Sequence, residues 1–413
     1  MIAGLLSPTA TRWYLLLVAL VLTVIGVVFV HSTMALQGQG TLDGEGFPGI
    51  VARKQMIKAG VALLALLVVV RIDYRWIERR AYVAYGIIVL VLCALLAGKI
   101  LDGDRGPIRW FRFALFDVQP SELMKLAAIL CLARYLRYRQ NQRRLGGLLF
   151  PALLTSVPMG LVLLQPDLGT SLMFPPVLLA MLFVAGARRR YLVVVALLGI
   201  VAVPTVYLLG DSMPILRGYQ MRRLTAFFEQ GDATVRGREA YHLDQSEVAL
   251  GSGGIFGRGL GKGSQNTLGH LPTKHTDSIF SVIGEEWGFV GTASVLGLFL
   301  LLVLLCLRVG LHTREPFGRL VSVGVGVAFG AQSFQNIGMT MGLTPITGLP
   351  LPFVSYGGSS LVSSYLALAL VLRVASQRVA VVASKDLDPQ EDPVVVQVED
   401  ERPAGSLTTQ WPL

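Results

Sequence analysis

Tyr14-Leu-Leu-Leu-Val-Ala-Leu-Val-Leu-Thr-Val-Ile-Gly-Val-Val-Phe-Val30 runs without a charged residue, with Arg12 just ahead of it. How this stretch is read decides the fold. A secretory leader carries an apolar region of about 7–15 residues followed by a small-residue cleavage site. This run is longer and the cleavage context near Ala35 is weak, so it reads as an uncleaved first membrane span. Further runs approach the roughly 20 residues that cross a hydrocarbon core. The 413-residue chain is 53% hydrophobic and 15% charged, with mean hydropathy +0.60. A soluble domain is rarely so apolar. The expected fold class is an all-α polytopic membrane protein.

About ten spans fit the pattern: 13–31, 56–71, 81–98, 121–138, 147–164, 168–187, 191–209, 278–307, 319–341 and 353–376. One set of connections holds Arg71, Arg75, Arg79 and Arg80, then Arg134, Arg137, Arg139, Arg143 and Arg144, then Arg188, Arg189 and Arg190, then Arg308, Arg314 and Arg319. The alternate set is poorer in Lys and Arg, and its connections 165–167 and 342–352 have neither. The positive-inside rule puts both termini in the cytoplasm. Cys93, Cys131 and Cys306 each sit in an apolar run, which implies no disulfide framework.

The segment 210–277, between spans seven and eight, is then a long external loop. It is basic, and Gly251 to Gly263 suits tight turns and close backbone approach. Outside the cell there is no nucleic acid to bind, so Lys262 and Lys274 point to an anionic lipid headgroup; a merely solvated loop is the alternative. Residues 1–383 form one transmembrane domain. From Ser384 onward, seven acids and four prolines read as a disordered acidic cytoplasmic tail. No metal cluster, dinucleotide fingerprint or P-loop is present.

The polar residues collect at the outer ends of the spans, where ionisable groups are costly and usually functional. Asp277 sits where the external loop meets an apolar helix, so it is either a helix cap or an oriented general base. Thr276 and His275 adjoin it. Glu122 and Lys125, three apart, share a helix face and can pair. Asp167 lies in a short Pro-Gly turn and either caps the next helix or lines a cavity. On an unbroken helix Glu285 is about 80° around from Asp277 and Glu286 about 180°. Arg109, before the fourth span, lies in an aromatic interfacial segment with Trp110, Phe111, Phe113 and Phe116.

These segments resemble the SEDS family (shape, elongation, division and sporulation) over about residues 12–380. The resemblance rests on Arg109-Trp110, Gln119-Pro-Ser-Glu-Leu-Met-Lys125, Gln165-Pro-Asp-Leu-Gly-Thr170 and Tyr219-Gln220 with Arg223. It rests further on Gln245-Ser246, Gly251-Ser-Gly-Gly254, His275-Thr-Asp277 with Ile283 to Val290, and Thr344-Pro-Ile-Thr-Gly-Leu-Pro-Leu-Pro-Phe-Val-Ser-Tyr-Gly-Gly-Ser-Ser360. The form of the last motif is more like the RodA branch than the division-specific FtsW.

The resemblance implies a glycosyltransferase that polymerises lipid II into β-1,4 glycan strands at the outer face of the cytoplasmic membrane, during cell elongation and shape maintenance. It maps the catalytic aspartate onto Asp277, with Ser278 where the family usually has Phe. It places Arg109, Glu122, Lys125 and Asp167 in or near the substrate cavity. Arg223, Lys262, Lys274, His275, Thr276, Ser355 and Tyr356 are further candidates for substrate, with Glu285 and Glu286 in support. A divalent cation, Mg or Mn, could share the charge of the diphosphate. Expected partners are lipid II, the nascent strand, membrane lipids and a class B penicillin-binding protein. The rival readings are a flippase or transporter of a lipid-linked precursor, an FtsW-like division polymerase, and a scaffold for wall enzymes.

Overall fold

A computed structural model describes residues 8–35, 50–101, 110–112, 117–138, 144, 146–209, 218–228, 238–267 and 276–386. The long helices are α1 (Pro8–Ala35), α2 (Ile50–Arg71), α3 (Tyr74–Leu101), α4 (Pro120–Tyr138) and α5 (Gly146–Leu164). A two-residue antiparallel ladder, β1 (Phe111–Arg112) with β2 (Asp117–Val118), precedes α4. Then come α6 (Leu168–Leu172), α7 (Phe174–Val184) and α8 (Arg189–Leu209). The segment expected to be an external loop folds into α9 (Gly218–Phe228), α10 (Arg238–Ser252) and α11 (Ser264–Thr267) where it is described. Three helices complete the chain: α12 (Ile279–His312), α13 (Pro316–Thr340) and α14 (Gly358–Asp386).

The all-α expectation holds, apart from the short ladder. Five described helices are long and apolar enough to cross a membrane: residues 10–33, 74–98, 146–164, 279–312 and 358–376. The expected sixth span is interrupted at Met173, which separates α6 from α7. Outward faces carry bare apolar side chains such as Leu90, Leu149 and Leu198, each more than 60% exposed. Water would not tolerate so large an apolar surface, whereas lipid tails match it. The acidic tail beyond Asp386 lies outside the described residues. The three cysteines are free, as expected.

Inside, α12 packs on α13, and α14 packs on α2 and α1. Phe353 lies at the centre with φ 63°, a costly backbone setting for an aromatic residue. Phe329 and Tyr365 hold its ring, at centroid distances of 5.3 and 5.1 Å. It anchors the 341–357 connection, which runs between α13 and α14 and roofs the polar end of the bundle.

The glycine-rich stretch seats on a break in α12. At Gly288 the backbone turns to φ 66°, ψ −161°, a region open to glycine almost alone. There the helix exchanges hydrogen bonds with the loop. Arg258 N donates to Glu285 O (3.0 Å) and Gly259 N to Glu286 O (3.0 Å), while Phe289 N donates to Gly254 O (2.8 Å) and Val290 N to Ile255 O (3.1 Å). A Cβ at Gly288 would stand 2.3 Å from Gly257 N, so the close approach itself excludes any side chain there. The expectation of close backbone approach is met, and the partner is the protein's own helix.

Candidate active site

Four chain segments converge at the end of the bundle where α4, α6 and α12 begin. Asp167 caps α6: its Oδ1 accepts from Thr170 N at 3.1 Å. Its Oδ2 accepts from Thr170 Oγ1 (2.9 Å), Gln119 Nε2 (3.2 Å) and Ser121 Oγ (3.3 Å). The capping expected from the sequence is real, and the same carboxylate also ties α4 to α6. One α4 turn further in, buried Lys125 donates to Glu122 Oε1 (2.9 Å) and to Gln332 Oε1 on α13 (2.8 Å). The pairing expected from their spacing is present, and Gln332 adds a third partner to the two buried charges.

Asp277 precedes the first turn of α12, outside the apolar span, and is half-buried. Burial pushes its carboxyl up to about 6 against the opposing pull of the Arg223 guanidinium and a hydrogen bond from the Thr276 side chain; Asp167 adds to the rise. Gly348, at φ 70°, adjoins both charged groups. A Cβ there would fall 3.3 Å from Asp277 Oδ2 and 3.6 Å from an Arg223 guanidinium nitrogen. The 347–349 backbone can reach this carboxylate because it has no side chain at that point.

Amide side chains on α13 fix the frame. Asn336 Nδ2 donates to Asp277 O (2.9 Å) and to Leu349 O (2.7 Å), and Gln332 Nε2 donates to Pro350 O (2.8 Å). Ser355 Oγ donates to Thr276 O (2.6 Å) and accepts from Leu351 N (2.8 Å). Next to it, the Tyr356 ring carries the Lys58 ammonium 3.7 Å from its centroid. Ser278 is fully buried and shares a hydrogen bond with His242 Nε2 (3.1 Å).

The structure thus brings Asp277, Thr276, Arg223, Asp167 and Ser355 together, with Glu122, Lys125 and Tyr356 adjoining. It separates three expected members. Glu285 turns to the glycine-rich segment, accepting from Ser264 Oγ (3.1 Å) and Gln265 N (2.8 Å). Glu286 instead accepts from Ser32 on α1, at 2.7 and 2.8 Å. Lys262 is exposed in the turn after Gly259, on the loop that seats on Glu285 and Glu286, about 12 Å along α12 from Asp277. These three hold or decorate the loop. Arg109, Lys274 and His275 lie outside the described residues.

Sequence reasoning missed Gln332, Asn336, Lys58 and Gly348. Gln332 and Asn336 left a signal, two amides four residues apart on one face of an apolar helix. For a resident divalent cation the donors are a poor fit. Asp167 already accepts four hydrogen bonds, close to the capacity of a carboxylate, and Asp277 has an arginine as counter-ion. No group of three or more His, Cys, Asp or Glu that could hold a metal gathers among the described residues.

Residues 12–380 match the family model FTSW_RODA_SPOVE, described as a cell cycle protein. The chain belongs to the SEDS family. A SEDS relative named probable peptidoglycan glycosyltransferase FtsW, from Trichlorobacter lovleyi, is 37% identical over 382 residues, covering 90% of this chain and 95% of the relative. Peptidoglycan glycosyltransferase RodA of Treponema pallidum is 31% identical, covering 89% and 98%. Among solved structures, RodA of Thermus thermophilus superposes with TM-score 0.63 at 29% identity, covering 89% and 97%. A chain from a structure reported as "Structural coordination of polymerization and crosslinking by a peptidoglycan synthase complex" reaches TM-score 0.70 at 30% identity, covering 89% and 98%. This SEDS protein is a multi-pass membrane protein and a peptidoglycan glycosyltransferase.

Proposed function

We propose that the protein polymerises lipid II at the outer face of the cytoplasmic membrane, with Asp277 as general base. One observation carries the reading: the Asp277 carboxylate and the Arg223 guanidinium meet against the side-chain-free Gly348 backbone at the polar end of the bundle. Asp277 accepts the proton of the acceptor sugar's 4-hydroxyl. That oxygen attacks the donor's anomeric carbon from the side opposite the polyprenyl diphosphate. The carbon–diphosphate bond breaks, the configuration inverts, and the diphosphate leaves as an anion. It needs positive charge more than a proton. Arg109 is proposed to supply that charge, while Arg223 beside Asp277 favours the ionised base. Lys125, matched by Glu122, positions the α4 wall and the 349–350 backbone. Any Mg or Mn would arrive with the diphosphate, as a companion of the substrate.

The arginine-rich connections favour an outward-facing site with both termini in the cytoplasm, by the positive-inside rule. The proposed partner is a crosslinking transpeptidase of the class B penicillin-binding type, in keeping with the polymerization and crosslinking ascribed to the similar complex. The Thr344–Ser360 motif favours an elongation role. Division is the second reading, because relatives named FtsW are 37% identical and the RodA relative 31%. Depletion separates the two: rounded cells support elongation, and filaments support division.

The direct test is purified protein with labelled lipid II, resolved on a gel. Wild type should form polymer, and Asp277→Asn should lose about 10²–10⁴-fold in rate while inserting normally. Polymerisation at the wild-type rate by Asp277→Asn would remove the base assignment. Transfer of lipid II between leaflets without polymer would remove the polymerase reading.

A further inference from the structure

At the opposite end of α4 a second polar cavity opens, of about 650 Å³, walled by the start of α3, the end of α4 and the residue before α13. Arg134 and Arg137 lie on the order of 20 Å along α4 from the Asp167–Ser121 contact. The cavity therefore belongs to the other membrane face.

Its acids are all engaged. Buried Glu78 accepts from the Arg137 guanidinium and from Tyr138 Oη (3.1 Å). Glu315 caps α13, accepting from Phe317 N (3.1 Å) and Gly318 N (2.6 Å), and it also faces Arg137 at 3.1 Å. Asp73 accepts from Arg75 N (3.1 Å). Arg134 spends a guanidinium nitrogen on the backbone carbonyls of Glu78 and Arg79. Two cations of the lining remain. The side chains of Arg75 and Arg79 are exposed and make no hydrogen bond or ion pair among the described residues.

Cavity depth names the ligand's source. α3 is one of the apolar helices long enough to cross a membrane, and it begins at Tyr74, in the cavity wall. Exposed Trp76 stacks with Arg80 (5.0 Å), and Tyr82 with Arg134 (4.7 Å). Aromatic and cationic side chains of this kind mark headgroup level at a membrane boundary. Guanidinium forks fit phosphate oxygens two at a time. Basic pockets between membrane helices on this face take anionic headgroups.

We propose that this cavity binds the phosphate of an anionic phospholipid, through Arg75 and Arg79, at the membrane face opposite Asp277. The assignment does not use the glycosyltransferase site and stands apart from it.

Native mass spectrometry on the delipidated full chain tests the proposal, with phosphatidylglycerol, phosphatidylcholine and inorganic phosphate as probes. Wild type should retain phosphatidylglycerol about tenfold over phosphatidylcholine. Arg75→Gln/Arg79→Gln should lose that preference, and Arg80→Gln should keep it. Both side chains are exposed and have no partner among the described residues, so the double variant should melt with wild type before lipid is added. Should it melt lower, the two single variants carry the same comparison. An undiminished preference in the variants, or no preference in wild type, overturns the proposal. Inorganic phosphate binding as well as phosphatidylglycerol would make this a soluble-anion site and overturn the lipid assignment.

Discussion

Asp277 is ionised by roughly ten to one at neutral pH if its carboxyl titrates near 6. On the proposed mechanism the base form is the active one, so polymerisation should rise with pH through about 6 and fall away below it. Arg223 holds the value down, so Arg223→Gln should move that limb to higher pH. A kcat/KM profile on both proteins checks this, and an unmoved limb would detach Arg223 from the base. The raised value has a cost. A carboxyl that binds its proton more tightly when folded loses stability as pH rises from about 4 to about 6. Gly348 offers a second check at this scale. Gly348→Ala would set a methyl 3.3 Å from the carboxylate on a φ of 70°, a strain of about 1–2 kcal/mol. Activity should fall about tenfold or more, with unchanged insertion read by membrane fractionation. Arg223 was reached only through the resemblance, beside Tyr219-Gln220, whereas Asp277 and Asp167 were legible in the sequence because charge beside apolar runs is conspicuous. Gly348 was not, since its role is to be absent as a side chain, and that depends on what faces it.

At the scale of elements, the glycine-rich loop and α12 depend on each other. The loop alone is a string of turn formers, and the helix alone would run on through Gly288. Four backbone hydrogen bonds join them at the break. Gly288→Ala would drive a Cβ to 2.3 Å from Gly257 N and should release the loop. Exposed Arg258 and Lys262 then become readier trypsin sites, and the cleavage rate should rise several-fold, in line with a loss of about 1–3 kcal/mol of local strain tolerance. Equal cleavage of variant and wild type would mean the break is not what holds the loop. The helical periods of α12 and α13 were plain from their apolar runs. The break was not, because glycine in a span signals packing as readily as distortion. Glu285, about 80° around from Asp277 on an unbroken helix, grips Gln265 instead.

For the whole molecule, the sequence made the membrane class and the polar end of the bundle legible through hydropathy and arginine placement. It concealed the helices within 210–277, whose amphipathic patterns are short and polar. The topology is testable with single cysteines after Cys93, Cys131 and Cys306 are replaced by Ser or Ala. Lys262→Cys should react with an impermeant maleimide in intact spheroplasts. Arg75→Cys should react only after the membrane is opened. The same pattern for both positions would invert or break the proposed threading.

The grip of Asn336 reaches beyond its two hydrogen bonds. One amide holds the backbone of Asp277 on one side and the roofing connection on the other, and Gln332, a turn away, reaches the same connection. Any rocking of α13 would carry floor and roof as one piece, so on the proposed mechanism the mouth could widen for a growing sugar chain without Asp277 losing its aim.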